Sequence, residues 1–383
     1  MTVTNEIRSE IVATVQKFVE REVLPVASEL EHRNEYPQRL VDRLKELGLF
    51  GATIPQEYGG LELDVTTYAM VVEQICRGWM SLSGVLNTHL MLAYMLRMHG
   101  TDEQKQRYLP AMARGEHRGV LCLTEPHAGS DVQRIRTTAK RDGDSYIING
   151  NKMFITNARY GTLYAIAAKT DPSADPPYKG ISMFVGEKAP GLTVSRDIDK
   201  LGYKGIETCE VNFEDYRIAA TSLIGGKEGQ GFVHVMSGLE VGRINIAARA
   251  VGVAQAAFEQ AIKYAQQRET FGKPIAEHQA IQLKLADMAT KLEAARLLTY
   301  RAAEKKDRGE RCDVEAGMAK LFASETCLEV ATEAMRILGG YGYTAEFPVE
   351  RYFRDAPLML IGEGTNEIQR LVIAKQLLQR HKI

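Results

Sequence analysis

The chain has 383 residues, of which 45% are hydrophobic and 25% charged, and its formal net charge is −1 at pH 7. A chain of this length exceeds one ordinary hydrophobic core, so we expect two or three domains. The near-zero net charge argues against nucleic acid or an anionic membrane surface as a partner. Five dispersed cysteines without a C-x-x-C pair, no apolar run of ~20 residues and no secretory signal pattern together predict a cytoplasmic protein.

Residues 1–120 are predicted to form an N-terminal α-helical domain. Apolar residues recur at helical spacing from Ile7 to Val19 and again from Leu40 to Leu47. A more apolar helical pair is expected over 65–99. The capping box that begins at Thr101 predicts one further helix.

Residues 121–228 are predicted to form a small antiparallel β domain. Short apolar runs at 145–148, 152–156, 162–169, 181–185 and 208–213 are typical of strands. The dipeptides Asp142-Gly143 and Asn149-Gly150 are typical of two-residue hairpin turns and predict one turn at each position.

Residues 229–383 are predicted to form a C-terminal α-helical bundle. Alanine-rich segments with apolar stripes predict four helices, over 232–267, 278–307, 313–338 and 366–379. The fold class expected for the whole chain is therefore α+β and multidomain, with a helical domain, a β domain and a four-helix bundle in that order.

The sequence Gly362-Glu363-Gly364 places one carboxylate on a tight loop. The flanking glycines allow the backbone to bend sharply, and Thr365 is a good N-cap for the helix that follows. Two interpretations are open at this point. The acid is either a surface residue that stabilises a helix N-terminus or a functional group presented on a short loop.

Common catalytic motifs are absent elsewhere. The chain has no dinucleotide-binding or P-loop glycine motif, and its eight histidines show no metal-ligand spacing, so no metal site is predicted. Three loops, at 124–131, 268–274 and 338–344, combine glycines with hydroxyl, arginine or aromatic side chains. Such loops are suited to binding a polar ring edge or a diphosphate.

In this order, the motifs resemble the acyl-CoA dehydrogenase family along nearly the whole chain. The resemblance rests on I-P-x-x-Y-G-G at 54–60, L-T-E-P-x-A-G-S-D at 123–131, N-G-x-K-x-F-I-T at 149–156, R-x-T-F-G-K at 268–273, H-Q-A at 278–280, L-G-G-Y-G-Y at 338–343 and E-G-T-x-x-I-Q-R at 363–370.

The resemblance implies a homotetrameric flavoprotein of fatty acid β-oxidation that binds FAD between the β domain and the C-terminal bundle. It implies an acyl-CoA substrate and electron-transferring flavoprotein as the electron acceptor. The flavin-lining residues implied are Leu123, Thr124, Gly129, Ser130, Phe154, Ile155 and Thr156. The residues implied to hold the diphosphate and adenosine across a subunit boundary are Arg268, Thr270, Phe271 and Gln279. Those implied to complete the FAD site are Arg336, Ile337, Gly339, Gly340, Thr365 and Glu367. The CoA thioester would meet Ser130, Glu240, Arg243, Gly364 and Arg370.

In this family the acid at the position of Glu363 removes the α-proton while the β-hydride passes to flavin N5, which gives a trans-2-enoyl-CoA. Some relatives carry the base on the helix that contains Glu240-Val-Gly-Arg243, but that position is Gly242 here. Glu363 is therefore the predicted catalytic residue.

Departures from the family pattern bear on the substrate. Gly362 stands where many relatives carry a tyrosine, which opens space near Cα and Cβ and predicts a branched, alicyclic or otherwise bulky acyl group. The substrate expected overall is a short, branched or alicyclic acyl-CoA. Leu82 replaces the arginine of glutaryl-type enzymes and argues against a dicarboxylyl substrate. Phe154 replaces a tryptophan, and Arg336 replaces a glutamine and adds a charge whose partner the sequence does not identify. Five residues are assigned to the far end of the pocket, with His89 interpreted as a packing residue: Asn87, His89, Met91, Tyr94 and Met95.

Two other functions remain open on the same fold. An acyl-CoA oxidase would pass its electrons to O2, and a non-catalytic flavoprotein would bind DNA through a basic C-terminal surface. The absence of an extra C-terminal domain favours the dehydrogenase over the oxidase. The near-neutral charge and the presence of Glu363 argue against the DNA-binding protein. A third alternative, an inactive scaffold homologue, is disfavoured because the base and the flavin motifs are present together.

Overall fold

The structure is a computed structural model that describes residues 4–382. Six α-helices precede the sheet within these residues, and a π-helical turn at Val19–Val23 joins the first two. The predicted capping box is confirmed, because Thr101 Oγ1 accepts from Gln104 N at 3.3 Å and Gln104 Oε1 accepts from Thr101 N at 3.0 Å. The helices are α1 Asn5–Phe18, α2 Leu24–His32, α3 Gln38–Glu46, α4 Val65–Gly78, α5 Met80–His99 and α6 Asp102–Ala113.

The middle of the chain forms a seven-stranded sheet with its own apolar core. Its strands are β1 Gly119–Cys122, β2 Thr138–Asp142, β3 Ser145–Thr156, β4 Leu163–Lys169, β5 Ile181–Glu187, β6 Leu192–Val194 and β7 Thr208–Ala219. They follow the order β1-β4-β2-β3-β7-β6, and β5 also pairs with β4. The sheet is mainly antiparallel, as predicted, but β4 pairs with β1 and β2 in parallel.

The hairpin predicted at Asn149-Gly150 is wrong, whereas the one at Asp142-Gly143 is confirmed. Residues 145–156 form one continuous strand whose register with β7 shifts between Ile148 and Gly150. The shift is a β-bulge. The Asn149 side chain binds Asp215, because Asn149 Oδ1 accepts from the backbone N of Asp215 at 2.8 Å. Gly150 passes so close to Thr137 that an added Cβ would lie 2.3 Å from Thr137 Oγ1.

The C-terminal part contains five helices within the described residues, one more than predicted. The helix that was not predicted, α10, follows Pro348 and contains Pro357. Prolines are typical of helix ends and breaks, so these two conceal the helical pattern in the sequence. Its buried face nevertheless includes Tyr352, Ala356 and Met359. The helices are α7 Gly231–Gln267, α8 Gln279–Asp307, α9 Asp313–Leu338, α10 Val349–Ile361 and α11 Asn366–Arg380; two-residue strands β8 Glu269–Thr270 and β9 Lys273–Pro274 join α7 to α8.

The two helical parts share one hydrophobic core, and α5 lies at its centre. Most of α5 is buried, which explains why its apolar residues cover the whole helix surface and do not form a single stripe. No helix in residues 4–382 is long and apolar enough to cross a membrane.

Candidate active site

Glu363 lies on the four-residue loop between α10 and α11. It adopts a left-handed backbone conformation with φ of 55°, and Gly364 follows with φ of 89°. Thr365 caps α11, its Oγ1 accepting from Ile368 N at 3.4 Å, as predicted. A non-glycine residue in this conformation is strained by roughly 1–2 kcal/mol, so the surrounding structure must hold it there.

Two helices hold the Glu363 carboxylate from opposite sides. Asn87 of α5 donates from Nδ2 to Glu363 Oε1 at 2.6 Å. Gly242 of α7 faces the other oxygen so closely that an added Cβ would lie 1.7 Å from Glu363 Oε2. That oxygen is buried and has no hydrogen-bond partner among the described residues. Its lone pairs are therefore not engaged by a donor among these residues and are available to accept a proton.

The charge state of Glu363 results from opposing influences. Burial raises the pKa of its carboxyl above the usual value, and the cations of Arg249, Arg243 and Lys320 and the hydrogen bond from Asn87 reduce that rise. A carboxylate with a raised pKa is a stronger base than one in water. The surroundings thus strengthen the base while the cations favour its ionised form.

Arg249 is a buried cation that the sequence analysis missed. Its Nε donates to Asn245 Oδ1 at 2.7 Å and its Nη2 donates to Ser83 O at 3.4 Å. Arg249 lies two turns beyond Gly242 on the same face of α7, and its side chain points back toward the turn that contains Gly242. One arginine inside the otherwise apolar run 246–254 is the signal that could have identified it.

The predicted flavin-lining residues of the β domain come together along β3. Met153 N donates to Thr124 O at 2.8 Å, which brings the loop 123–130 to the middle of the strand. The strand's end lies on α5, because Asn157 Nδ2 donates to Thr88 Oγ1 at 2.7 Å. Since Asn87 is the neighbour of Thr88, this end of β3 and Glu363 meet at the same part of α5.

A buried ion pair fixes this loop from beneath. Lys152 Nζ lies 2.8 Å from Glu125 Oε1 and donates to Leu123 O at 3.2 Å. Glu125 also accepts from Thr137 Oγ1 at 2.6 Å and from Arg136 N at 2.6 Å. Burial alone would raise the pKa of Glu125, but Lys152 and these donors hold it below the usual value.

The predicted diphosphate group lies elsewhere, at the far end of α7. Thr270 Oγ1 and His278 Nε2 are 3.1 Å apart, so the β8–β9 turn folds onto the start of α8, where Gln279 is exposed. Phe271 projects from this turn with 97% of its surface exposed. Tyr264 and Tyr341 have ring centroids 6.4 Å apart, which brings the turn near the loop after α9. Arg268 lies 26 residues beyond Gly242 on a continuous helix, about 39 Å away at about 1.5 Å per residue.

The remaining predicted cofactor residues lie at the ends of helices. Arg336 pairs with Glu333, one turn earlier on α9, which identifies the partner that the sequence analysis could not name. Ile337 is buried, whereas Gly339 and Gly340 are exposed and have open space where a Cβ would stand. Glu367 is exposed in the first turn of α11.

Some of the residues predicted to contact the thioester already pair with other side chains, and others do not. Glu240 accepts from Lys306 Nζ at 3.0 Å and from Cys312 Sγ at 2.9 Å, and Arg370 pairs with Glu325. Arg243, by contrast, has a buried Nε without a partner among the described residues. Ser130 is exposed in the loop 123–130, and Gly364 directly follows Glu363.

The α5 residues assigned to the pocket separate by face. Asn87 contacts Glu363, and Met91 and Met95 face α7 at Gly238. His89 points the other way, its Nε2 2.9 Å from Phe50 O and its Nδ1 accepting from Gly119 N at 3.2 Å. This geometry agrees with the interpretation of His89 as a packing residue.

Comparison with known proteins agrees with this architecture. Three domain families match the chain: acyl-CoA dehydrogenase N-terminal domain over residues 5–116, middle domain over 120–216 and C-terminal domain over 229–378. An acyl-CoA dehydrogenase of Bacillus subtilis is 45% identical over 366 residues, which are 95% of this chain and 96% of that one. The mitochondrial short-chain specific acyl-CoA dehydrogenase of Bos taurus is 44% identical over 372 residues, 96% of this chain and 89% of that one. The structure of butyryl-CoA dehydrogenase from Megasphaera elsdenii superposes with a TM-score of 0.95 at 38% identity and covers 99% of both chains.

The fold and the matches together define a three-domain flavin-dependent oxidoreductase. The chain belongs to the acyl-CoA dehydrogenase family. The expectations of this family, its fold, an enzymatic function in acyl-CoA dehydrogenation and FAD as cofactor are confirmed.

The residues along β3 fit FAD chemically. Phe154 is 60% exposed, has φ of 60° and lies where the β3–β7 register shifts again. An aromatic side chain held outward at such a strained position suits a flat ring that covers it. Thr124, Ser130 and Thr156 add hydroxyls nearby, and Gly129 has open space where a Cβ would stand.

Proposed function

We propose that the chain dehydrogenates an acyl-CoA thioester between Cα and Cβ, with Glu363 as the base that removes the α-proton. The observation that carries the proposal is the unpartnered, buried Glu363 Oε2, with Oε1 fixed by Asn87. In this proposal Asn87 holds Oε1 in place, and Oε2 is the oxygen that takes the α-proton. FAD, when bound, supplies the acceptor for the hydride that leaves Cβ, and the product is a trans-2-enoyl-CoA.

The α-proton of a thioester is weakly acidic, so a base near its ordinary pKa would be inefficient. Burial raises the pKa of the Glu363 carboxyl and so reduces the difference between its pKa and that of the α-proton. The thioester carbonyl is proposed to accept from the Glu363 backbone N–H, which has no acceptor among the described residues. Such a hydrogen bond stabilises the negative charge that develops on oxygen as the proton leaves.

The predicted ligand contacts remain proposals. The loop 123–130 and Phe154 to Thr156 would hold the flavin ring, and Ser130, Glu240, Arg243, Gly364 and Arg370 would meet the CoA thioester. Arg243 is supported by its buried, unpartnered Nε, which needs an acceptor. Glu240 would act through its pair with Lys306.

The separation of the two cofactor groups supports assembly of the site from two chains. Arg268 lies about 39 Å along α7 from Gly242 and hence from the base, too far for one chain to hold both ends of a flavin. We propose that Arg268, Thr270, Phe271 and Gln279, with Arg336 to Gly340 nearby, hold the diphosphate and adenosine of a neighbouring subunit's FAD in a homotetramer. Thr365 and Glu367, which follow Glu363 directly, would complete the FAD site of their own chain. Exposed apolar residues on α8 and α11 suit further subunit contacts: Leu283, Leu297, Leu371 and Leu378.

The proposed substrate is a short, branched or alicyclic acyl-CoA. A Cβ at Gly362 would approach only Leu358 O, at 3.3 Å, and Ile246 Cδ1, at 3.9 Å, so the space beside the base is open. The resemblance to short-chain specific and butyryl-CoA dehydrogenases agrees with a short chain. Electron-transferring flavoprotein is the proposed acceptor, and rapid peroxide formation during turnover would instead indicate an oxidase.

The test is anaerobic mixing of the FAD-loaded protein with straight, branched and alicyclic acyl-CoAs while flavin absorbance is followed. Glu363→Gln keeps the size and the Asn87 contact but removes the base, so we expect it to bind both ligands and bleach about 10³-fold more slowly. Near-normal bleaching by this variant would show that another group removes the proton.

A further inference from the structure

Lys320 of α9 is a completely buried lysine that the proposed mechanism leaves unexplained. Its Nζ donates to Asn366 Oδ1 at 2.7 Å and to Leu360 O at 3.1 Å, and it forms no ion pair with a carboxylate among the described residues. Burying an ammonium group with only neutral acceptors is costly. A position that bears this cost is more than a filler of core volume.

The two acceptors of Lys320 lie on either side of the base. Leu360 is the next-to-last residue of α10, and Asn366 is the first residue of α11. Leu360 O is one of the helix-terminal carbonyls that have no acceptor role within their own helix. Lys320 therefore connects the end of one helix to the start of the next, and the loop that carries Glu363 lies between the two contacts.

Two neighbours of Lys320 complete a support for this loop. Ser324, one turn further along α9, accepts from Asn366 Nδ2 at 3.0 Å. Gln369 of α11 donates from Nε2 to Gly364 O at 3.1 Å. Because Glu363 has the strained φ of 55°, a loop with loose ends would relax and move the carboxylate away from Asn87 and Gly242.

We infer that Lys320 is a positioning residue for the proposed base: by holding Leu360 and Asn366 it keeps the Glu363 loop in its strained conformation. The inference rests on the proposed function of Glu363. Lys320 itself has no contact with the reacting atoms.

The charge of Lys320 provides a second readout. Burial lowers the pKa of Lys320 to about 8, and the acids that face it are Glu363, Glu367 and Glu325, with Arg243 the neighbouring cation. The cations that face Glu363 are Arg249, Arg243 and Lys320. Removal of the Lys320 ammonium leaves only two of them, so the pKa of Glu363 should rise further.

The experiment compares Lys320→Met with the wild-type FAD-loaded protein. We expect a limiting bleaching rate about 10–100-fold lower, since a misplaced base loses orientation, with little change in the acyl-CoA concentration for half-maximal rate. The isotope effect of substrate deuterated at Cα should increase, and the acid limb of the pH–rate profile should move to higher pH. Backbone hydrogen exchange in 361–370, measured by mass spectrometry without substrate, should become faster.

Two further variants separate position from charge. Ser324→Ala weakens only the Asn366 support and should speed exchange and lower the rate several-fold without moving the acid limb. Lys320→Arg keeps the charge and should leave the acid limb in place. A folded Lys320→Met protein with the hydrogen-exchange rate and isotope effect of the wild type would overturn the inference. If Lys320→Met does not fold, wild-type hydrogen exchange in 361–370 of both Ser324→Ala and Lys320→Arg would overturn it. Normal bleaching by Glu363→Gln would instead refute the proposed base itself.

Discussion

At the scale of single residues, the site depends on the space around one carboxylate. Asn87 occupies one side of Glu363, and the missing side chain of Gly242 creates the other. A side chain at position 242 and the Glu363 carboxylate would occupy the same volume, so this chain can hold only one of the two. The absence of a side chain at Gly242 is therefore as necessary for this arrangement as Glu363 itself.

Gly242→Ala should therefore disable the site without changing any charge. The new methyl group would lie 1.7 Å from Glu363 Oε2, so the carboxylate must move, and we expect the anaerobic bleaching rate to fall about 100-fold. Gly238→Ala, one turn earlier on α7, is the matched control, because its Cβ would lie 3.6 Å from Met95 Cγ, an ordinary contact. Equal rates in the two variants would contradict this account.

The sequence was sufficient to place Glu363 on a glycine-flanked loop but insufficient to identify its neighbours. Arg249 and Lys320 lie 114 and 43 residues away and reach the base only through packing of α7 and α9. Helical periodicity indicates which face of a helix is buried, but it does not show which buried polar residues meet. Glu240 illustrates the same limit, since its pairing with Lys306 depends on how α7 packs against α8.

At the scale of elements, an ion pair beneath a loop prepares the proposed flavin surface. Glu125 and Lys152 are both buried, and between them they bind the loop backbone at Leu123 and the start of β2 at Thr137. Such a pair contributes less to net stability than its geometry suggests, because both charges lose water. Its effect is to fix one arrangement of the loop against β3.

Lys152→Met should destabilise the protein strongly because Glu125 then remains buried without its cation. We expect a loss of about 3–5 kcal/mol in the free energy of unfolding and weaker FAD retention, measured by denaturant titration and flavin content. The double variant Glu125→Gln/Lys152→Met leaves no unpaired charge and should recover part of the loss. A double variant no more stable than the single one would argue against this explanation.

Elements were predictable where local pattern and packing agree. The long helices α7, α8 and α9 have sustained apolar periodicity, and their predicted bounds differ little from those observed. Asn149-Gly150 has the composition of a hairpin turn, yet the pairing of both halves with β7 makes it a bulge. Pairing between distant strands, like the packing that retains α10 despite Pro357, is not encoded in a short window.

At the scale of the whole molecule, α5 joins the three parts of the fold. His89 binds Gly119 at the start of β1, Thr88 binds Asn157 at the end of β3, and Asn87 binds Glu363. Three consecutive residues therefore contact the residue at the start of β1, the residue that follows β3, and the proposed base. Movement of α5 would disturb all three together.

The stability contributed by His89 should depend on pH. Burial lowers the pKa of His89 to about 4, whereas an unfolded histidine titrates near 6.5. The unfolded state therefore binds more protons between these values, so this contribution falls as the pH decreases from 6.5 to about 4. Buried Asp355, whose pKa burial raises to about 7, acts in the opposite direction, so total stability does not isolate the effect.

The difference between the wild type and His89→Gln cancels Asp355 and every other shared group. We expect the stability advantage of the wild type, from denaturant titrations, to shrink by roughly 2 kcal/mol between pH 7 and pH 5. His381→Gln, at an exposed position, is the control and should show no such change. An advantage that stays constant with pH would mean that His89 does not titrate as its burial implies.

The residues that meet at the proposed base come from distant parts of the chain, in the order Asn87, Gly242, Lys320 and Glu363. During synthesis the ribosome therefore releases the sheet and most of the helices before the acid exists. A chain interrupted anywhere between α7 and α10 would contain the residues of β3 but lack the acid. With Glu363 as the proposed base, a chain that ends before residue 363 should be unable to remove the α-proton of the thioester.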